Sequence, residues 1–406
     1  MRGSRGFRVF AGVALNANFK LDLHRLPPPP APREKEAGPH SGGTLEVLRA
    51  IWEEVLQRPG VTPDDRFEDL GGDSLSAVRV LVAVNERLGC DLPPDYIQRH
   101  PVLRDLAHWV DRIAGGGIRP ETSVVFQREG EGCPFFFVAG IGGSVLGYRR
   151  VASGLAARHP AYGLALPSTD LAGAAVSVES IAARYAAEIR TIVPRGGRAI
   201  VVGHSFAGVV AFEVSRQLRK NGHWDPLPVV IDMPALNAPG TYRRSTARLV
   251  LDMVCNLPAW AAHEALHFQG RKFLARARGN LDRLRRSFRG LAAPAELDPR
   301  IYFGQEKLPD AYQAFLNVMY RAMLAYVPAR YEGEVIVLRT RIPTLWRTTD
   351  LQMGWQNVAA GVEVRQIPGS HGDCLSEEHG EELTRVLRQC AVHFEAEARP
   401  LDVSLL

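Results

Sequence analysis

Two serines stand in settings that could make a hydroxyl do chemistry. Ser205 lies in Gly203-His204-Ser205-Phe206-Ala207-Gly208, after the apolar run Ala199-Ile200-Val201-Val202 and before Val209-Val210. Strand, sharp turn and helix in that order hold a serine oxygen clear of the backbone at the head of the helix, where the amide of Phe206 can face a developing oxyanion. The pattern G-x-S-x-G has Ala207 at its last position, which places one methyl where strand and helix approach closely. A serine nucleophile needs a base and a carboxylate. His371, in Ile367-Pro368-Gly369-Ser370-His371-Gly372-Asp373, follows the last apolar run. Two aspartates compete for the third role: Asp232, at the end of Val229-Val230-Ile231, and Asp350, downstream of Val335 to Leu338. The histidine would take the serine proton and return it to the leaving group, while the carboxylate fixes the imidazole tautomer and stabilises the imidazolium.

Ser74 is the second candidate, in Leu70-Gly71-Gly72-Asp73-Ser74-Leu75 at the start of a helical stretch. A serine there commonly caps the helix N-terminus. The two glycines also permit a tight turn that leaves the hydroxyl uncovered.

The elements that must position these residues fall into two textures. Residues 44–114 read as a small helical unit: Leu45, Leu48, Ile51, Trp52, Val55 and Leu56 keep helical spacing, as do Leu75, Val78, Leu81, Val82 and Leu88, and a further helix is expected after Pro101. Beyond residue 120, short runs rich in Val, Ile and Phe alternate with helical stretches. Residues 135–138, 162–166, 199–202, 229–231, 335–338 and 362–367 are strand-like, which implies a mostly parallel sheet covered on both faces. Residues 240–330 interrupt that rhythm with helical patterns and read as a lid inserted above the strand ends. Prolines 27–30, Pro32, Pro39 and Gly42-Gly43 make a linker over 27–43, and Gly115 to Gly117 with Pro120 make a second over 115–132.

The segment from Asp65 to Leu75, within the helical unit, resembles the attachment site of peptidyl and acyl carrier proteins. That resemblance implies a small four-helix carrier bundle over 44–114, with 4'-phosphopantetheine bound covalently to Ser74 by a separate phosphopantetheinyl transferase. Asp73 stands where many carriers have histidine. Residues 133–395 resemble the type I thioesterase domains that end nonribosomal peptide and polyketide synthases. This implies an α/β-hydrolase domain with a helical lid and the catalytic residues Ser205, Asp232 and His371, Asp232 being favoured over Asp350 because the family commonly places the acid after the strand that follows the nucleophile strand. The loop Ala139-Gly140-Ile141-Gly142-Gly143-Ser144 corresponds to the family's glycine-rich loop, so Ile141 and Phe206 are the expected oxyanion donors; a plain tight turn is the alternative. Residues 13–22 resemble the closing motif of adenylation domains, with Lys20 at its lysine and Phe19 in place of its usual glycine, so 1–26 reads as a remnant without adenylating activity. Residues 396–406 form a tail.

Together these resemblances imply a carrier–thioesterase module that terminates nonribosomal peptide or hybrid polyketide biosynthesis. Upstream synthetase modules and a tethered acyl or peptidyl substrate would be its partners, and release would run by hydrolysis or cyclisation. The rivals are a docking module whose hydrolase fold is inactive, suggested by Ala207 and Gly140, and a stand-alone serine esterase.

Charge and composition narrow the partners. The net charge is +5, yet no zinc-finger spacing, RNP-like aromatic string or long basic tail accompanies it, so nucleic acid is not expected. Within 44–114, 13 Asp and Glu oppose 8 Arg, a local charge of −5, and an acidic carrier suits basic partners. From Arg271 to Arg289, eight Lys and Arg stand against one Asp, with Leu274, Leu281, Leu284 and Phe288 at helical spacing. This reads as a solvated amphipathic face or as a basic surface, including Arg283, Arg285 and Arg286, for the carrier. Five scattered cysteines without a C-x-x-C pair point away from disulfides and a metal site and toward a reducing cytoplasm. Arg2, Arg5 and Arg8 precede only a short apolar stretch with no small-residue cleavage site, and no run is long enough for a membrane span.

Overall fold

The computed structural model describes residues 42–72, 74–90, 92, 96–115, 123–155, 158–165, 176–220, 224–240, 246–266, 285, 308 and 310–396. Lys20 and its segment, the proline-rich linker up to residue 41, the basic stretch apart from Arg285, and the tail lie outside the described residues.

The first helices are α1 (Gly42–Leu56), α2 (Ser74–Leu88), α3 (Tyr96–Arg99) and α4 (Leu103–Ala114). Leu48, Ile51 and Trp52 of α1, Val80 and Val84 of α2, and Leu106 and Val110 of α4 share one apolar core, each set spaced along one helical face. Trp52 meets Phe67 edge-on with ring centroids 5.1 Å apart, which brings the loop between α1 and α2 into that core. The same loop is tied to the start of α4 by Phe67 N–H to Pro101 O (2.8 Å) and Leu103 N–H to Asp65 O (3.1 Å).

The larger unit is a seven-stranded sheet. Its strands are β1 (Ser123–Gln127), β2 (Phe135–Val138), β3 (Ala161–Leu164), β4 (Arg198–His204), β5 (Asp225–Ile231), β6 (Tyr331–Ile342) and β7 (Ala359–Ser370), in the order β1-β3-β2-β4-β5-β6-β7. Every neighbouring pair is parallel except β1 with β3. The central strands read as unbroken apolar runs because both faces are covered. Phe135, Phe137, Ile200, Val202, Val229, Ile231, Ile336 and Leu338 pack with α5 (Arg149–Leu155) and α10 (Glu377–Ala396). Their alternates Phe136, Val138, Val201, Val230, Val335 and Val337 pack with α6 (Val178–Ile192), α7 (Phe206–Lys220) and α9 (Asp310–Ala325). Helices α8 (Thr246–Leu266) and α9 fall in the stretch between β5 and β6. No helix among the described residues is long and apolar enough to cross a membrane.

The 115–132 segment, read from sequence as a linker, contains β1. Val124 and Phe126 turn toward the core while Val125 is 39% exposed, so only two inward side chains mark it as a strand. An antiparallel edge strand on an otherwise parallel sheet needs no more than that.

Phe137 tests how far the sheet depends on its filled interior. It is 0% exposed and lies 4.9 Å, centroid to centroid, from Tyr148. Phe137→Ala should cost about 3–5 kcal/mol. Chemical denaturation should show the transition at lower urea with an unchanged slope.

Candidate active site

Ser205 occupies the turn between β4 and α7 with φ of 57°, a left-handed conformation that L-residues avoid. The turn is tight because strand and helix nearly touch. A Cβ added at Gly203 would lie 2.0 Å from the Ala207 carbonyl oxygen, and one at Gly208 would lie 2.8 Å from Val230 Cγ1. The close approaches therefore fall at 203 and 208. Ala207 is fully buried in the core beside them, so its methyl is accommodated where the pattern asks for glycine.

Asp232 follows β5 with φ of 49° and is 4% exposed. His371 follows β7 and reaches both residues, with Nδ1 3.0 Å from Asp232 Oδ2 and Nε2 3.1 Å from Ser205 Oγ. A carboxylate only accepts, so Nδ1 carries the proton and Nε2 is left to accept from the serine hydroxyl. Burial alone would raise the Asp232 carboxyl. The hydrogen bond and charge of His371 and the charge of Arg347 outweigh it and hold the group below its ordinary value. Asp350 is engaged elsewhere. Its Oδ1 accepts from Gln352 N–H (3.1 Å), and its Oδ2 accepts from Gly354 N–H and Gln356 Nε2 (both 2.9 Å), a network that closes its own turn.

Phe206 opens α7, where the first amides have no partner within the helix. Ile141 is the second residue of a turn closed by Gly143 N–H to Gly140 O (2.9 Å), and such a turn leaves that residue's amide free for another acceptor. Tyr312 of α9 donates to Gly142 O at 3.3 Å, joining the insertion to this loop.

Sequence reasoning did not single out three groups around these residues. Tyr148 accepts the His204 N–H at 2.8 Å and fastens the end of β4. Thr340 N–H approaches Asp232 Oδ1 at 3.4 Å. Arg347 Nη1 reaches the same oxygen at 3.3 Å. A lone arginine or tyrosine in a loop carries no spacing signal that would have found them. The five cysteines are free, and the Cys374 thiol, three residues from His371, is pushed up to about 12 by burial and by the Asp232 charge. It is therefore protonated and a poor nucleophile.

Ser74 is the first residue of α2. It follows Gly71, with φ of +90°, and Gly72, where a Cβ would lie 2.4 Å from the Phe67 ring, so the backbone ahead of the serine lies flush against the core. Residue 74 therefore opens a helix, and a helix N-terminus favours an anion such as a phosphodiester.

A sheet that brings a serine hydroxyl, an imidazole and a carboxylate into one hydrogen-bonded chain is the framework of a serine hydrolase. Residues 134–391 match the family model described as Thioesterase domain, and the chain belongs to that family. Residues 46–110 match the model described as Phosphopantetheine attachment site, which indicates a covalently attached 4'-phosphopantetheine. Carrier and thioesterase thus share one chain. It is similar to chondramide synthase of Chondromyces crocatus, 32% identical over 227 residues, 54% of this chain and 6% of that protein. It is also similar to a dimodular nonribosomal peptide synthase of Bacillus subtilis strain 168, 27% identical over 400 residues, 94% of this chain and 15% of that protein. The chain therefore spans a small part of the length of these relatives. A solved four-domain nonribosomal peptide synthetase bound to AMP and glycine matches 94% of this chain and 28% of its own at 20% identity, with a TM-score of 0.47.

His204 supplies a pH test. Its ring lies 4.7 Å from that of His371, and burial, then the neighbouring imidazole, pushes it down from 6.5 to about 3. Between those values the unfolded chain binds more protons at this residue than the folded one, so its contribution to stability is present above about pH 6.5 and is lost as pH falls toward 3. His204→Gln should flatten the acid side of the stability curve across that window. Urea midpoints measured at several pH values would show it, and wild-type and variant curves that stay parallel would contradict it.

Proposed function

We propose that the chain is the terminal carrier–thioesterase module of an assembly line that makes a nonribosomal peptide or a hybrid polyketide. The observation that carries this reading is the Ser205–His371–Asp232 hydrogen-bond chain in a polypeptide that also bears a phosphopantetheine attachment site. A phosphopantetheinyl transferase would load Ser74 from coenzyme A, and upstream synthetase modules would supply the acyl or peptidyl chain. When attached, the group supplies a thiol that holds that chain as a thioester.

Ser205 Oγ attacks the acyl carbonyl carbon as its proton passes to His371 Nε2. Asp232 holds Nδ1–H and balances the imidazolium charge. The amides of Phe206 and Ile141 are the donors for the carbonyl oxygen as it becomes an oxyanion. His371 would then return the proton to the leaving group as its bond to the acyl carbon breaks, which leaves the acyl group on Ser205 as an ester. Water, or an amine or hydroxyl of the same acyl chain, then attacks with His371 as base, giving hydrolysis or cyclisation. The four helices α1–α4 are read as the carrier bundle, and α8 and α9 as part of a lid over the serine. Five free thiols suit a cytoplasmic setting. The contacts at Ser205 support this reading over an inactive docking module.

Two measurements test it. Incubation with coenzyme A and a promiscuous phosphopantetheinyl transferase should add the mass of the arm to the peptide containing Ser74. Ser74→Ala should abolish that gain yet leave hydrolysis of a small soluble thioester intact, while Ser205→Ala should retain a loaded acyl chain that wild type releases. No mass gain in folded wild type defeats the carrier assignment. Separately, Asp232→Asn should lower kcat by about 10⁴ through the wrong imidazole tautomer, against a change of at most a few-fold for Asp350→Asn. Equal losses would reject Asp232 as the acid.

A further inference from the structure

Asp232 divides its two oxygens between two partners. Oδ2 faces His371, whereas Oδ1 faces the Arg347 guanidinium at 3.3 Å. Both side chains of the second contact are withdrawn from water, Asp232 at 1% exposure and Arg347 at 10%. Arg347 comes from the loop after β6 and folds back, its Nη1 donating also to Thr340 O (2.5 Å) and Thr340 Oγ1 (3.0 Å). Arg339 of β6 does not duplicate it, since its Nη1 and Nη2 donate to Asp350 O (2.6 Å) and Thr348 O (3.2 Å) of the same loop.

That loop is seated from outside the sheet. Asn256 of α8 donates Nδ2 to Leu345 O (3.3 Å) and Arg347 O (2.7 Å). Asp252, one turn earlier and 0% exposed, accepts Thr349 N–H and Thr349 Oγ1–H, both at 2.9 Å. A helix that projects a carboxylate and an amide inward, against one loop, holds that loop in a defined geometry.

We propose that Arg347 is a positioning residue for the acid–histidine pair, and that Asp252 and Asn256 of α8 seat the loop that delivers it. The inference rests on reading Ser205, His371 and Asp232 as the reacting groups. A guanidinium on Oδ1 fixes the carboxylate rotamer, so that Oδ2 meets Nδ1. It also offsets part of the carboxylate charge, so that the imidazolium is stabilised less than it would be beside an unshared aspartate. Without Arg347, Oδ1 keeps only the long contact from Thr340 N–H, and the full charge acts on His371. The other groups facing Asp232 are His204 at the end of β4, Arg339 of β6 and Cys374 after β7. None of these supplies a hydrogen bond to Oδ1 among the described contacts.

The test is an NMR titration of the full chain carrying ¹³C-labelled histidine, with the His371 signal assigned by its loss in His371→Gln. Arg347→Met should raise the His371 midpoint by about one pH unit. Arg347→Lys should restore most of the wild-type value, and Asn256→Ala should move the midpoint part of the way in the same direction. The acidic limb of the wild-type rate profile should move with it in each variant. A folded Arg347→Met chain with an unmoved midpoint overturns the role of Arg347. A midpoint that moves in Arg347→Met and stays fixed in Asn256→Ala overturns the role of α8. If Arg347→Met does not fold, Asn256→Ala decides, a raised midpoint supporting the proposal and an unchanged one rejecting it. The reading of Ser205 is tested apart from this, by hydrolysis of a soluble thioester: an inactive wild type whose midpoint still responds to Arg347 rejects that reading and keeps the coupling.

Discussion

Two left-handed turns at the ends of neighbouring strands govern the site. Ser205 and Asp232 have φ of 57° and 49°, and each such residue costs on the order of 1–3 kcal/mol. Both are held the same way. The Ser205 amide donates to Ile231 O on β5 at 3.0 Å, and the Asp232 amide donates to Leu338 O on β6 at 2.8 Å. Each strained residue thus takes one further rung of the parallel ladder before the chain turns away. Ser205 and Asp232 are positioned by strand register, and that register is set by apolar residues packed on both faces of the sheet. An error of one residue between β4 and β5 would displace Ser205 relative to Asp232 and His371.

What could be read from the sequence follows from the same packing. Central strands buried on both faces leave continuous runs such as Ala199 to Val202 and Val335 to Leu338, which stand out against the helical stretches. The edge strand β1 faces the core with two residues and left no such run. The candidate nucleophile and base were legible because a sharp turn and a histidine after the last strand are local features. The residues alone left the acid open between two aspartates, and only the family resemblance favoured Asp232, since a sequence does not say which carboxylate its own turn consumes. The amides of Gln352 and Gly354 bind Asp350, whereas Asp232 has no such local partners and meets His371. Arg347 was not legible at all, because its partner Asp232 lies 115 residues away and its loop is shaped by α8.

Both serines use one physical device. Ser74 begins α2, and Ser205 immediately precedes α7, so both residues stand at the N-terminal end of a helix, where the dipole favours negative charge. In the proposed function the charge at Ser74 is permanent, the phosphodiester of an attached group. At Ser205, in the same proposal, it is transient, the oxyanion of an acyl transfer. The surroundings differ accordingly. A position loaded by a separate transferase, as proposed for Ser74, needs neither a base nor an acid from its own chain, and the described turn ahead of it is laid flush on Phe67. As the proposed nucleophile, Ser205 must be activated where it stands, and His371 Nε2 lies 3.1 Å from its oxygen.

Helix α8 is built unlike the helices that cover the sheet. Among its described side chains the buried ones are Leu249, Asp252 and Asn256, while Leu251, Val254 and Leu257 are 49%, 61% and 48% exposed. In α7 nearly every inward position is apolar and buried. Displacing α7 would expose a large part of the core, at about 25 cal/mol for each Å² of apolar surface. Displacing α8 would mainly exchange a few protein hydrogen bonds for bonds to water, each worth about 0.5–1.5 kcal/mol net. The helix is therefore held by geometry more than by burial: specific when seated, and cheap to move. Because its polar anchors end on the loop that carries Arg347, a helix held more by hydrogen bonds than by apolar burial is joined through that loop to Asp232.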